Sequence, residues 1–291
     1  MERLFRRNVP LKEHCTYGTG GPAAWFFEPE NLSGLEKAVA WAKKSGVPFF
    51  LLGNGSNVLI SDKGFPGLVI CTVSRLDRIL FEGDKVEAEC GASLCGLVEA
   101  CCAKGLSGLE NLYDIPGSVG GALYMNAGAF DAAISDCVAE VVSLDQSGVI
   151  RKRKREALLF NYRDSTFRRE SEIILNGTFS LKRREPAGLL ESMKAIKARR
   201  DEKQPPDRDK SCGSVFKRPP GGFAGSLIEK SGLKGLRIGG AKVSEKHANF
   251  IINEKRATAG EIKTLIDTVQ AKVLEKTGVK LEPEVVFLGE F

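Results

Sequence analysis

A chain of 291 residues is comfortable for two or three domains, and it buries roughly 75% of the surface its unfolded form exposes, so it needs neither disulfide nor structural metal. With 42% hydrophobic and 27% charged residues the composition is that of a soluble globular protein, and no apolar run approaches the ~18 residues of a membrane span. The net charge of +6 is modest, and Met1–Pro10 is too charged for a signal peptide, so the expected location is the cytoplasm.

Residues 32 to 45 place Leu32, Leu35, Val39 and Ala42 at helical spacing, Gly46 ends that helix, and Val-Pro-Phe-Phe-Leu-Leu predicts a strand. The loop that follows, within L-L-G-N-G-S-N-V-L-I (51 to 60), is dense in small and polar residues. After it come two short β-branched runs, Val58 to Ser61 and Leu68 to Val73, with no room for a helix. A Rossmann fingerprint therefore fails, since Val58 stands at its third glycine, and the lysine of a Walker loop is missing. Gly53 and Gly55 still permit a nest of backbone N–H groups around an anion, with Ser56 and Asn57 as added donors; a plain tight turn is the other reading.

Ser93 to Ala103 predicts a helix from Leu94, Leu97, Val98 and Cys101. Beyond it, Pro116-Gly117-Ser118-Val119-Gly120-Gly121 offers a second stretch of amides with little side chain to obstruct a ligand. Two such loops suit a ligand with two phosphates, a dinucleotide held between two lobes. Leu112, Ile115, Leu123 and Tyr124 either line its apolar slot or belong to the core.

From Val138 to Leu181 the pattern is strand-rich, with a Gln-Ser-Gly turn ahead of the basic run Arg151 to Arg155. That run reads as a solvated strand end in preference to an RNA contact. Residues 189 to 203 predict a basic helix, ended by Gln204-Pro205-Pro206-Asp207, where a further domain begins. The last third alternates short strands with helices at 224 to 231 and 258 to 277, an α+β pattern. The cysteines (15, 71, 90, 95, 101, 102, 137 and 212) contain no C-x-x-C, and His14 and His247 are far apart in sequence. They read as small apolar side chains, with no metal site expected.

Taken together, L-L-G-N-G-S-N-V-L and N-L-Y-D-I-P-G-S-V-G-G-A-L-Y-M-N-A-G-A resemble the flavin loops of the UDP-N-acetylenolpyruvoylglucosamine reductase family. The likeness continues in order through Y-R-D-S-T-F (162 to 167), G-S-V-F-K (213 to 217), L-K-G-L-R-I-G-G-A (233 to 241) and L-E-P-E-V (281 to 285). It implies an α+β protein: a two-lobed FAD-binding module of the vanillyl-alcohol-oxidase type over residues 1–75 and 76–183, and an α+β substrate-binding domain over 184–291. FAD would be held non-covalently by Gly53, Asn54, Gly55, Ser56, Asn57, Pro116, Gly117, Ser118, Gly120, Gly121, Asn126 and Gly128. NADPH would be the co-substrate, and the enolpyruvyl group of a UDP-sugar would receive hydride at C3 and a proton at C2.

By the same resemblance Arg163 and a protonated Glu284 would stabilise the enediolate-like charge, and Ser214 would donate the proton, assisted by Lys217. A protonated glutamate needs a raised pKa, as a dry site would give it. Cys212, two residues from Ser214, is a second thinkable acid; motif alignment favours the serine. Arg199, Lys203 and Lys217 would bind substrate. Arg218 and Val286 depart from the family pattern, and no Tyr-bearing insertion follows Asn161, which marks the shorter subtype. No nucleic-acid, membrane or obligate protein partner is expected. The other readings are a flavin oxidase of the broader fold, though neither flavin loop contains the histidine such enzymes often use, and an RNA-binding module.

Overall fold

The computed structural model describes every residue except Ser74, Asp207 and the side chain of Asp209, so the last residue of the Pro-bounded break lies outside the described residues. The chain forms two compact units built from interleaved segments. The first holds Met1–Phe5, Phe26–Asn54 and Leu68–Arg200; the second holds Arg6–Trp25, Gly55–Gly67 and Asp201–Phe291.

In the first unit, α1 (Leu32–Lys44) starts at Asn31, whose side chain accepts the Gly34 N–H, and buries Leu35, Ala38, Val39 and Ala42. The strand Phe49–Leu52 then pairs in parallel with Leu68–Cys71. A five-stranded antiparallel sheet runs in the order Ile150–Lys154, Val138–Leu144, Ile173–Ser180, Lys85–Glu89, Ile79–Glu82. On it rests α3 (Val119–Met125), against which α2 (Leu94–Ala103) packs; α4 (Thr166–Glu170) and α5 (Pro186–Lys203, in this unit as far as Arg200) complete the helices. Neither α3 nor α4 follows from local pattern. Gly120 and Gly121 are poor helix formers, and α4 is too short to show a period. The turn forms because Ser118 and Ser165 cap the two helices with their side-chain oxygens.

The basic run becomes the outer strand of that sheet, as the solvated-strand reading expected, and its first three charges are paired. Arg151 Nε lies 2.8 Å from Asp145, Lys152 Nζ 2.8 Å from Glu140, and Arg153 bonds both Glu170 and Glu172. Glu172 is only 5% exposed and also accepts the Ser143 hydroxyl at 2.6 Å. Burial alone would raise its pKa, but the bonds from Arg153 and Ser143 outweigh this and hold it below the ordinary 4.5. A depressed folded pKa gives stability that is complete above about pH 4.5 and is lost as pH falls through the folded value. Arg153→Met should cost about 2–4 kcal/mol near neutral pH, by leaving a buried carboxylate without its cation, and should flatten the acid limb. Urea unfolding at pH 7 and pH 4 measures both effects; equal curves for variant and parent would refute the assignment.

In the second unit, the strand Val58–Ile60 pairs in parallel with Val286–Leu288. A three-stranded sheet, Arg237–Ile238, Ala241–Val243 and Ile251–Asn253, packs with α6 (Ala224–Lys230) and α7 (Ala259–Thr277). α7 buries Ile262, Leu265, Ile266, Val269 and Val273. Its start is fixed twice: Thr258 and Glu261 form a capping box, and Asp62 accepts the N–H groups of Ala259 and Gly260, each at 2.9 Å. Among the described residues no helix is long and apolar enough to cross a membrane. Cys15, Cys71, Cys90, Cys101, Cys102 and Cys212 are buried free thiols, and burial pushes Cys90 up to about 12.

Candidate active site

In the second unit the glycine-rich loop is fixed by backbone crowding. Gly55 sits at φ +62, and a Cβ there would lie 2.1 Å from the His14 carbonyl oxygen. The loop then passes into Asn57, whose side-chain amide donates to the Glu284 carbonyl at 3.2 Å, while its own carbonyl accepts the Val286 N–H at 3.0 Å. Glu284 is therefore held at the mouth of a parallel strand pair. Its N–H donates to the Val215 carbonyl at 2.7 Å, and the Lys217 N–H donates to the Glu282 carbonyl at 2.9 Å. Ser214 bridges to Phe250, and the Val215 N–H donates to the Asn249 carbonyl at 2.8 Å. The Asn249 side chain brackets Phe216, accepting from its N–H at 3.0 Å and donating to its carbonyl at 2.8 Å. Asn57, Ser214 and Glu284, far apart in sequence, thus stand on adjoining segments of one framework.

Two neighbours of Ser214 are engaged elsewhere. The Lys217 amine bonds Glu282 at 2.5 Å, so the assistant expected for Ser214 is already ion-paired. Cys212 is 4% exposed, its thiol donates toward the Val58 carbonyl at 3.4 Å, and burial pushes its pKa well above the ordinary thiol value. A thiol so placed is a poorer acid than a free one.

In the first unit Gly53 approaches Ser118 so closely that a Cβ on the glycine would lie 2.4 Å from the serine Oγ. Backbone at 53–54 and 116–118 is thus gathered around one buried hydroxyl, and a glycine is required for it. The amides expected to be exposed are partly committed: Val119 N–H donates to Ala92, Gly120 N–H to Cys90, and Gly121 N–H to Ser118 Oγ at 3.2 Å. They are spent because the segment folds into the first turn of α3. Asn54, Pro116 and Gly121 are exposed. Such a side-chain-poor cradle around a hydroxyl fits a phosphate-bearing cofactor. Leu112 and Leu123 are fully buried core residues, whereas Ile115 and Tyr124 are half-buried.

At the end of α3, Asn126 takes a left-handed conformation (φ +45) and its amide donates to the Asn161 carbonyl at 2.9 Å. Arg163 is also left-handed, at φ +53, an uncommon geometry for a residue with a side chain. Its guanidinium donates to the carbonyls of Gly128 at 2.8 Å and Asn126 at 3.4 Å, and stands 5.1 Å from the Tyr162 ring centroid. Arg163 is thereby joined to the same turn as Asn126 and Gly128. Arg199, exposed on α5, lies over the Phe130 ring at 4.2 Å; Lys203 ends the same helix and is exposed. Within each unit, then, the residues gather as described, and the loop from Gly53 to Asn57 passes from one unit into the other.

Thr16, Asn249 and Asn253 organise the second unit and were not singled out by sequence. The Thr16 hydroxyl donates to the Ser211 carbonyl across 195 positions, and the Asn253 amide to the Tyr17 carbonyl across 236. No local period carries such a signal; only the density of Thr and Gly in C-T-Y-G-T-G-G (15 to 21) hints at it.

Comparison with known proteins supplies an independent view. Residues 204–288 match the family model for the C-terminal domain of UDP-N-acetylenolpyruvoylglucosamine reductase, and residues 23–153 match an FAD binding domain. The chain is 45% identical over 289 residues to the UDP-N-acetylenolpyruvoylglucosamine reductase of Caldicellulosiruptor bescii, covering 99% of this chain and 91% of that one. It is 42% identical to the corresponding protein of Lactobacillus delbrueckii subsp. bulgaricus, over 98% and 96% of the two chains. Among solved structures, the UDP-N-acetylenolpyruvylglucosamine reductase of Thermus caldophilus superposes with a TM-score of 0.85 at 35% identity, covering 98% of this chain and all of that one. A glucose dehydrogenase, Phl p 4.0202, matches 64% of this chain and 42% of its own at a TM-score of 0.51 and 14% identity, a likeness of fold alone.

Proposed function

Since this chain belongs to the UDP-N-acetylenolpyruvoylglucosamine reductase family, we propose that it reduces UDP-N-acetylglucosamine enolpyruvate to UDP-N-acetylmuramate with NADPH as the reductant. It is an FAD-dependent oxidoreductase, and peptidoglycan precursor synthesis is the process it serves. The observation that carries the detailed reading is the framework in which Asn57 bonds Glu284 and Glu284 bonds the backbone beside Ser214. A flavin loop, a carboxyl and a hydroxyl are thereby built into one unit.

When bound, FAD would supply the redox chemistry, hydride transfer from NADPH to C3 of the enolpyruvyl double bond. Gly53, Asn54, Gly55, Ser56 and Asn57, with Pro116, Gly117, Ser118, Gly120, Gly121, Asn126 and Gly128, hold the cofactor. Ser118 contributes its hydroxyl, and the glycines contribute close backbone approach. Hydride addition at C3 leaves negative charge on C2 and the adjoining carboxylate. Arg163 meets that charge with its guanidinium, and Glu284 in its protonated form donates a hydrogen bond to it. Ser214 places a proton on C2, which completes the saturated lactyl ether, and solvent restores the hydroxyl. Arg199 and Lys203 bind the diphosphate, and Lys217 binds substrate after exchanging its Glu282 partner. The three regions 1–75, 76–183 and 184–291 serve as two flavin lobes and a substrate domain, in the cytoplasm.

One spectrum series tests this. The purified protein should show flavin absorbance, bleach anaerobically on adding NADPH, and recover colour on adding the enolpyruvyl sugar. Protein that neither holds nor takes up FAD, or whose colour returns only with oxygen, contradicts the reading. Cys212→Ala should keep reoxidation by the sugar within about threefold of the parent, because its thiol is a buried, weak acid. A loss near that of the serine variant would move the proton to Cys212.

A further inference from the structure

We propose that Thr16 is the positioning residue for Ser214, acting through the backbone of Ser211; this rests on Ser214 being the proton donor. The Thr16 hydroxyl has one proton and several acceptors within reach. The Ser211 carbonyl lies at 2.5 Å, the Gly55 carbonyl at 3.5 Å and the Cys212 sulfur at 3.7 Å. Distance decides between them: the proton goes to Ser211. The Cys212 thiol then serves as a donor, to Thr16 or to the Val58 carbonyl at 3.4 Å. At the same time the Thr16 N–H donates to the Gly55 carbonyl at 3.2 Å. A single residue therefore clamps the glycine-rich loop to the segment that leads into Ser214.

The clamp is needed because the next link is loose. Ser214 is anchored on its far side by Phe250 and by the Val215–Asn249 bond. Between that anchor and Ser211 stands Gly213, at φ +69 with nothing within 4 Å of where a Cβ would be. The Ser211 Oγ accepts the Gly213 N–H at 3.2 Å, so Gly213 follows wherever Ser211 goes. Ser211 is 3% exposed; without Thr16 its buried carbonyl loses this donor and the arm can rotate at the glycine. A misplacement of about 1 Å costs on the order of 10²-fold in a step that depends on alignment. No other step in the reaction requires the Ser214 hydroxyl, so the effect should be confined to protonation at C2.

Thr16→Val keeps the shape and removes the hydroxyl; Thr16→Ser keeps the hydroxyl. With FAD bound, Thr16→Val should be reduced by NADPH at the parental rate and bind the enolpyruvyl sugar with unchanged affinity. Its reoxidation should be slower by about 10- to 100-fold, with a larger solvent deuterium isotope effect. Thr16→Ser should restore the rate. In the FAD-free protein, amide exchange at residues 211–215 should be faster in Thr16→Val than in the parent. Reoxidation within about twofold of the parent overturns the proposal, as does equal slowing of both half-reactions, which is what a purely structural residue gives. Thr16→Ala is read by the same criteria if Thr16→Val does not fold. If the parent protein is bleached by NADPH but not reoxidised by the enolpyruvyl sugar, the functional reading itself fails, and this assignment with it.

Discussion

Ser214→Ala is expected to bleach with NADPH as fast as the parent protein and then to stay bleached when the enolpyruvyl sugar is added. The two halves separate because only the second needs a proton on carbon. Removing a general acid of this kind slows its step by roughly 10²- to 10⁴-fold. Ser214 is half-buried and its backbone is held on one side by Phe250 and on the next residue by Asn249 and Glu284, so an alanine there leaves the framework intact. Stopped-flow absorbance of both half-reactions makes the measurement. Parental reoxidation in Ser214→Ala would remove the serine from the mechanism. Slowing of the NADPH step would show that its role lies in the cofactor and not in the proton.

Gly55→Ala should be the most destabilising change in the glycine-rich loop. Two costs combine: a left-handed φ of +62 and a new methyl 2.1 Å from the His14 carbonyl oxygen and 2.6 Å from the Cys15 Cα. The obstacles are backbone, so the clash is not relieved by turning a side chain. The sum is about 3 kcal/mol or more, a large part of the 5–15 kcal/mol typical of a folded protein. Gly46→Ala is the control. Gly46 has nearly the same φ, +64, with nothing within 4 Å, so it should cost only about 1 kcal/mol. Denaturant unfolding and FAD affinity should both separate the two variants. If they lose equal stability, the strain lies in the dihedral alone and the crowding against His14 and Cys15 is not what fixes this loop.

Much of the architecture was legible in local pattern. The helices at Leu32–Lys44, Leu94–Ala103 and Ala259–Thr277 fall where apolar spacing puts them, and the last begins at the capping box that Thr258 and Glu261 spell out. The strands around the Arg151 run were equally plain, because alternation and a Gly-containing turn are local signals. The helix at Val119–Met125 was hidden for the opposite reason. Gly120 lies so close to Cys90 that a Cβ on it would stand 2.8 Å from the Cys90 Cβ and 2.9 Å from its carbonyl oxygen, a tertiary contact that overrides propensity.

The chemistry divides in the same way. By its residue types and their order alone, the sequence determined the family and singled out the glycine-rich loops, Arg163, Ser214 and Glu284 as the residues to test, because motifs at fixed spacing survive as a linear record. Only the tertiary structure decided which groups are already committed: Lys217 to Glu282, Arg153 to Glu172, Gly121 to the Ser118 cap, Thr16 to Ser211. Several of these bonds join residues tens to hundreds of positions apart, and even the short-range ones depend on how the backbone turns. A hydrogen bond is set by distance in space to within a few tenths of an ångström, and separation along the chain does not encode that.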